Sequence, residues 1–120
     1  MPSVLIVDDD PSIRATVSML LRMEGFEVRS ANDGRAALEA ALAAPPDVIL
    51  SDLHMPMMSG LELLAAVRRA PPLAHTRLVL LTGTTDESIA PAANGAVADA
   101  VLTKPFSRDQ LLATLASFKR

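Results

Sequence analysis

The amino-acid sequence predicts a doubly wound α/β fold, in which a parallel β-sheet carries helices on both faces. Short apolar runs alternate about five times with longer amphipathic stretches along the chain. The apolar runs are unbroken rather than alternating, which is typical of strands that are buried on both faces. The length of 120 residues is that of one ordinary domain, so we expect a single domain over residues 1–120.

The first half of the chain holds three predicted strands and two predicted helices. The strands are expected over residues 4–7, 26–30 and 48–50, and the helices over residues 11–22 and 34–44. Asp10 precedes the first helix as its expected cap, and Asn32 or Asp33 caps the second. Pro45-Pro46 ends the second helix, since proline cannot continue a helical hydrogen-bond pattern.

The second half repeats this alternation with one irregular stretch. A helix is expected over Gly60–Arg69 with Ser59 as its cap, strands over residues 78–81 and 100–102, and a final helix from the capping box Ser107-Arg108-Asp109-Gln110. Pro91 and the stop signal Asn94-Gly95 interrupt the region between the last two strands. Either a fourth helix over residues 87–93 ends early, or the loop after it is longer than usual.

Composition excludes several classes of function. The chain has no cysteine, which excludes a disulfide framework, a zinc ribbon and a thiol nucleophile. Its net charge of −3 argues against direct nucleic-acid binding, because phosphate contacts need a basic face. No apolar run approaches the roughly 20 residues of a membrane span. No basic segment precedes the first apolar run, so we expect a cytoplasmic domain without a secretory signal.

Charged or polar residues lie at the carboxyl ends of four of the predicted strands. They are Asp8, Asp9 and Asp10 after the first strand, Asp52 after the third, Thr82-Gly83 after the fourth and Lys104-Pro105 after the fifth. In doubly wound sheets the functional residues lie just beyond the carboxyl ends of the strands. If these strands are neighbours, the acids, the hydroxyl and the cation therefore converge on one crevice.

Each group alone has a structural explanation. Three aspartates at a strand end form a turn and a helix cap, a Thr-Gly pair forms a turn, and a lysine is a solvated charge. Together, carboxylates that meet in one crevice repel and need a cation. A hard divalent ion with oxygen ligands fits, Mg²⁺ above all. Lys104, between a buried strand and a proline, suggests a point charge aimed inward.

The segments VLIVDDDPSIR, ILSDLHMPMMSGLELL, LVLLTG and VLTKPF occur in that order. They resemble the response-regulator receiver domain of two-component signalling, and the resemblance covers essentially the whole chain. It implies a flavodoxin-like (βα)₅ fold with strand order 2-1-3-4-5. It also implies that residues 1–120 contain no effector domain; whether the chain is a stand-alone regulator or part of a longer protein stays open.

The resemblance implies a metal and phosphorylation site around Asp52, the phospho-acceptor. Asp8 and Asp9 would hold Mg²⁺, with Mn²⁺ as an alternative, and Asp52 and the backbone carbonyl of His54 would complete the metal site. The reaction implied is phosphoryl transfer to Asp52 from a phosphohistidine of a sensor histidine kinase or histidine phosphotransfer protein, or from a small acyl phosphate. The domain would catalyse its own phosphorylation and hydrolysis while acting mainly as a signalling domain.

The resemblance also assigns roles to the other strand ends. Thr82 would hydrogen-bond the phosphoryl group. Lys104 would pair with Asp52 and then with a phosphoryl oxygen, and its bond to Pro105 would be cis. The positions His54, Gly83 and Thr84 would tune the lifetime of the phosphoryl group. The signal would pass to a downstream protein or effector domain.

One position departs from the family in a way that affects signalling. Val101 stands three residues before Lys104, where the family commonly has an aromatic ring that moves inward with the threonine. A valine has no ring that could move inward, so we do not expect phosphorylation to be signalled by the family's usual movement of an aromatic side chain. The departure favours an alternative, a receiver-like interaction module that acts without phosphorylation, although the full set of site residues argues against it.

Two other classes are disfavoured by single residues. An aspartate-based phosphatase typically needs a second aspartate two residues after its nucleophile, where this chain has His54. A flavin-binding domain of similar topology needs a Ser-, Thr- or Gly-rich phosphate loop after the first strand, and the aspartates at positions 8–10 would repel a phosphate.

Overall fold

A computed structural model describes residues 2–53, 55, 58–82, 92–93, 96–103 and 106–118. Its elements in chain order are β1 (Ser3–Val7), α1 (Pro11–Met23), β2 (Glu27–Ala31), α2 (Gly34–Ala43), β3 (Val48–Asp52), α3 (Gly60–Arg69), a 3₁₀ turn (Pro71–Leu73), β4 (Arg77–Thr82), β5 (Ala92–Ala93), β6 (Ala96–Val97), β7 (Ala100–Thr103) and α4 (Arg108–Ala116). Within these ranges, no helix has the length and apolar character needed to cross a membrane.

Five parallel strands form the central sheet in the order β2-β1-β3-β4-β7. Numbered by their sequence order within this sheet, they follow the order 2-1-3-4-5, which confirms the predicted topology. From β1 the chain adds β2 on one side, and it then adds β3, β4 and β7 on the other side, so the strand order reverses between β1 and β3. In doubly wound folds this switch point is where a crevice opens at the carboxyl ends of the strands.

Alternate residues of the strands face two separate cores. Val4 and Ile6 of β1 pack in one core with Leu21 of α1 and Leu111 of α4. Leu5 of β1 packs in the other core, which also receives the apolar stripes of α2 and α3. Both faces of the sheet are therefore covered by helices, as the unbroken apolar runs predicted.

The helices begin where the sequence indicated. Asp10, Asp33 and Ser59 accept hydrogen bonds from the first turns of α1, α2 and α3, so Asp33 rather than Asn32 is the second cap. Reciprocal capping boxes join Ser59 to Glu62 and Ser107 to Gln110. Since Asp10 caps α1, the loop that carries Asp8 and Asp9 ends at this cap.

The stretch before β7 differs from the expectation of a fourth helix over residues 87–93. Ala92 pairs with Val97 and Ala93 with Ala96 in a short antiparallel sheet, so a helix through Ala93 was wrong. The two strands flank Asn94-Gly95 in the sequence, and this dipeptide is the commonest two-residue hairpin connection as well as a helix stop. Residues 83–91 and 94–95, including Pro91, lie outside the described residues.

Asp99 connects three elements at the amino-terminal edge of the sheet. Its carboxylate forms an ion pair with Arg68 at the end of α3 and a longer one with Arg77 Nη1 at 3.4 Å. Leu78 N donates to Asp99 Oδ2 at 2.8 Å, and Asp99 N donates to Leu78 O at 2.9 Å. This carboxylate therefore holds the start of β7 against β4 and α3.

Candidate functional site

Three aspartates meet at the carboxyl edge of the sheet. Asp8 and Asp9 directly follow β1, and Asp52 is the last residue of the neighbouring strand β3. Val7 lies opposite Ser51 in the parallel register, so Asp8 and Asp52 leave the sheet at the same level. One carboxylate oxygen from each of the three aspartates lies within 4.8 Å of the others. The structure thus brings together the acids that the sequence predicted would converge.

The three carboxylates have different environments. Asp8 is only 1% exposed, Asp52 is partly buried and Asp9 is exposed. Asp10 N donates to Asp8 Oδ1 at 2.9 Å, and Leu53 N donates to Asp52 Oδ1 at 2.9 Å. These backbone bonds fix the directions of the two less exposed carboxylates. Asp9 completes the group from the solvent side.

The chemistry of this donor set fits a hard divalent cation. Carboxylate oxygens are the ligands that Mg²⁺ and Mn²⁺ prefer, whereas a softer metal would call for thiolate or imidazole. Three negative charges at this spacing repel each other, and a divalent ion would offset that repulsion. Asp8, Asp9 and Asp52 are the residues that would hold such an ion.

Thr82 lies beside this acidic group at the end of the next strand. Asp52 pairs with Leu81 across β3 and β4, so Thr82 extends one residue beyond the level of Asp52. Thr82 is 5% exposed and pairs in turn with Thr103 of β7. The ends of β1, β3, β4 and β7 therefore form one continuous edge, as the convergence argument required.

Gly60 contacts the end of β3 and was not singled out from the sequence. Its N–H donates to Leu53 O at 2.9 Å. A Cβ atom at this position would clash with Asp52 O and lie 3.0 Å from Leu53 Cα. Only glycine lets α3 begin against the backbone of Asp52. The glycine at the end of the D-x-x-M-P-x-M-x-G pattern was the available signal.

Arg14 contacts the acidic loop from α1 and was also missed. Its Nη1 donates to Asp8 O at 2.7 Å. The sequence places Arg14 in the first predicted helix, and no role was assigned to it there. The available signal was spacing, because a side chain four residues after the cap Asp10 lies over the start of the helix.

Val101 lies on β7, where it pairs with Leu80 and is 44% exposed. The proposal that Val101 replaces an aromatic switch residue stays a prediction. The predictions for His54, Gly83, Thr84, Lys104 and Pro105 concern positions outside the described residues, and they stay predictions.

Comparison with known proteins identifies the family. The family model of the response regulator receiver domain matches residues 4–116. The transcriptional regulatory protein KdpE of Mycobacterium tuberculosis is 39% identical over 118 residues, covering 96% of this chain and 50% of KdpE. This chain therefore spans about half the length of that relative.

Solved structures agree in fold over the whole chain. The chemotaxis protein CheY4 of Vibrio cholerae superposes with a TM-score of 0.92 at 41% identity, covering 99% of both chains. The receiver domain of a sensor histidine kinase of Pseudomonas aeruginosa, solved with a magnesium ion coordinated in its active-site cleft, gives a TM-score of 0.89 at 25% identity over 98% of this chain and 96% of that one. With its fold, its acidic edge and these matches, the chain belongs to the response-regulator receiver family of two-component signalling.

Proposed function

We propose that Asp52 is the phospho-acceptor of this receiver and that Asp8 and Asp9 hold the metal ion that phosphorylation requires. The observation that carries the proposal is the convergence of the three carboxylates, whose oxygens lie within 4.8 Å of one another. Asp52 ends β3 in the centre of the sheet, at the carboxyl edge where doubly wound folds bind their ligands.

The reaction transfers a phosphoryl group to Asp52. A carboxylate oxygen of Asp52 attacks phosphorus while the bond from phosphorus to the donor's imidazole nitrogen breaks, and the electron pair of that bond leaves with the imidazole. Apart from the attack by Asp52 itself, the protein contributes positioning and screening of charge. Mg²⁺, when bound by the acids, supplies that screening between the carboxylate and the phosphoryl oxygens.

The chain's own residues orient the acceptor. Leu53 N holds one oxygen of Asp52, which directs the carboxylate relative to the sheet. Thr82 would donate its hydroxyl hydrogen to a phosphoryl oxygen, and Lys104 would pair with another. Hydrolysis then reverses the roles, as water attacks phosphorus and the Asp52 carboxylate leaves.

Magnesium is the metal that the donor set favours. The three carboxylates provide oxygen ligands only, and the related receiver from Pseudomonas aeruginosa carries magnesium in its active-site cleft. Mn²⁺ has the same ligand preference and would substitute.

The partners follow from the chemistry of the donor. A phosphohistidine on a sensor histidine kinase or on a histidine phosphotransfer protein would phosphorylate Asp52, and a small acyl phosphate would replace it in vitro. The signal would pass to a downstream protein or effector domain, because relatives such as KdpE are transcriptional regulators about twice as long as this chain. We place this exchange in the cytoplasm, where such kinases present their phosphohistidine.

The experiment is to incubate the protein with acetyl phosphate or phosphoramidate and Mg²⁺, trap the aspartyl phosphate chemically and map it by mass spectrometry. Wild type should be labelled at Asp52, and Asp52→Asn should carry no label. Asp47→Asn is the matched control, because Asp47 lies just before the opposite end of the same strand and should leave labelling unchanged. Label on another residue, or label that persists in Asp52→Asn, would refute the assignment. A wild type without label would favour an interaction module that acts without phosphorylation.

A further inference from the structure

We infer that Arg14 is a positioning residue for the acidic pair: its guanidinium holds the peptide between Asp8 and Asp9 so that both carboxylates face Asp52. The inference rests on the proposed function of these acids. Arg14 lies in the second turn of α1 and is partly buried, and its Nη1 donates to the carbonyl oxygen of Asp8 at 2.7 Å.

The contact closes the turn between the strand and the helix. Asp8 N donates to Ala31 O at 3.3 Å, which ties the start of the loop to β2. Asp10 N donates to Asp8 Oδ1 at 2.9 Å, and Arg14 N donates to Asp10 O at 3.1 Å. The Arg14 side chain adds a bond that reaches the Asp8 carbonyl from the helix. It therefore restrains the peptide that carries Asp9 from a third side.

This peptide determines where the Asp9 carboxylate points. Asp9 is exposed and its side chain has no neighbour that buries it, unlike Asp8, which is 1% exposed. A rotation of the peptide between Asp8 and Asp9 would turn the exposed carboxylate away from the group. A donor fixed on a helix opposes that rotation, in the way that groups around metal ligands orient the ligands themselves.

Charge and positioning lead to opposite expectations for Mg²⁺ binding. The positive charge of Arg14 near three carboxylates offsets their repulsion but competes with a cation, so its removal alone would tighten Mg²⁺ binding. The hydrogen bond orients the acids, so its removal would weaken Mg²⁺ binding. The guanidinium is partly exposed, and the high dielectric of nearby water weakens the charge effect while leaving the hydrogen bond to the backbone in place. We therefore expect positioning to dominate.

The test compares Arg14→Met, Arg14→Lys and Arg22→Met with wild type. Methionine keeps the apolar stem and removes both the charge and the donor, whereas lysine keeps the charge and a single donor without the planar fork. Arg22 is the matched control, because it lies on the same helix and its Nη2 donates to Val28 O at 3.3 Å, away from the acids. Mg²⁺ affinity is measured by calorimetric titration, and the exchange rate of the Asp10 amide hydrogen by NMR.

Arg14→Met should bind Mg²⁺ about tenfold more weakly than wild type, as is typical when a group that orients metal ligands is lost. Its Asp10 amide should exchange faster in the absence of metal, since that amide is bonded to the Asp8 carboxylate. Arg14→Lys should recover part of the affinity, and it gives the same comparison if the methionine variant does not fold. Arg22→Met should match wild type in both measurements.

Arg14→Met that binds Mg²⁺ as tightly as wild type, or more tightly, would overturn the inference, and tighter binding would show that Arg14 acts through its charge. Failure of the proposed function looks different, because wild type itself would then bind no Mg²⁺ or carry no label at Asp52. If wild type does both and the Arg14 variants match it, only the positioning inference fails.

Discussion

The backbone of Asp52 leaves no room for a side chain on Gly60, because a methyl group there would overlap the Asp52 carbonyl oxygen. This close approach brings the end of β3 against the first residue of α3. The bond from Gly60 N to Leu53 O, at 2.9 Å, runs beside it. The absence of a side chain at Gly60 thus sets how closely a helix approaches the proposed phospho-acceptor.

Gly60→Ala should lower both the stability and the phosphorylation rate. Inserting a methyl group into a closed contact typically costs about 1–3 kcal/mol, and the relief of that overlap would move Asp52. Gly25→Ala is the control, because Gly25 has a φ of 91° with open space around it, and its strain of about 1–2 kcal/mol arises far from the acids. Urea unfolding and the rate of labelling by acetyl phosphate separate the two variants. A normal labelling rate in Gly60→Ala would contradict the argument.

The three aspartates of the loop should contribute unequally to Mg²⁺ binding. Asp8→Asn and Asp9→Asn should each weaken binding strongly, because their carboxylates lie with that of Asp52. Asp10→Asn should bind Mg²⁺ almost as wild type, because the Asp10 side chain caps α1 and asparagine caps a helix equally well. Calorimetric titration of the three variants tests this, and equal losses would mean that the metal pair is misassigned.

Removal of the Asp99 carboxylate should destabilise the fold. Asp99→Ala leaves the buried amide of Leu78 without the side-chain oxygen that now accepts its hydrogen at 2.8 Å. The expected loss is about 1–3 kcal/mol, and Asp99→Asn should lose less because an oxygen acceptor is retained. Urea unfolding measures both.

The control for Asp99 is an exposed ion pair elsewhere on the surface. Glu24 accepts a hydrogen bond from Arg108 Nη2 and thereby raises the pKa of that guanidinium above its ordinary value. Because water and salt screen such a pair, Glu24→Gln should leave the urea midpoint close to that of wild type. If Glu24→Gln destabilises as much as Asp99→Ala, the position of Asp99 within the fold has no special importance.

The lifetime of the phosphoryl group should depend on His54 and Thr84. In receiver domains the side chains at these positions flank the path of the attacking water. Both lie outside the described residues. Dephosphorylation rates of His54→Ala and Thr84→Ala should differ from wild type by more than about twofold, which corresponds to roughly 0.4 kcal/mol of barrier. Smaller changes in both would refute the expectation.

The short β5–β6 pair should become better protected on activation. Each of these strands has two residues, and a lone hairpin of this size is marginal in water. Val101 cannot supply the aromatic readout, so ordering of this segment is our expected route for the signal. Amide hydrogen exchange at Ala92, Ala93 and Ala96 should slow when beryllofluoride and Mg²⁺ are added. Unchanged exchange would mean that the phosphorylation signal is transmitted through another face of the domain, such as that of α1 or α4.

Sequence reasoning succeeded where a local pattern determines the structure. The unbroken run before Asp8 predicted a buried strand, the caps Ser59 and Ser107 predicted two helix starts, and the strand ends predicted the acidic edge. These features depend on a few neighbouring residues and on the general geometry of parallel sheets. They can therefore be recognised without knowledge of the rest of the fold.

The sequence did not predict features that depend on contacts between different elements or on a choice between competing patterns. Asn94-Gly95 is both a helix stop and a hairpin connection, and only the pairing of the alanines around it distinguishes the two. The role of Arg14 depends on the carbonyl that its side chain reaches, and that of Gly60 on an atom of another element. Hydrophobic periodicity and capping patterns do not specify such contacts between atoms of two different elements.

The hydrogen bonds of Asp99 with Leu78 also determine the alignment of β7, the last strand of the sheet. β7 has four residues and forms an edge of the sheet, so its own pairing with β4 specifies its register weakly. A slip of one residue would exchange its two faces and move Thr103 away from Thr82. The two hydrogen bonds between Asp99 and Leu78 prevent that slip at the end of the strand farthest from the acids. Asp99, at one edge of the sheet, thus keeps the strand ends aligned at the opposite edge, where the three aspartates meet.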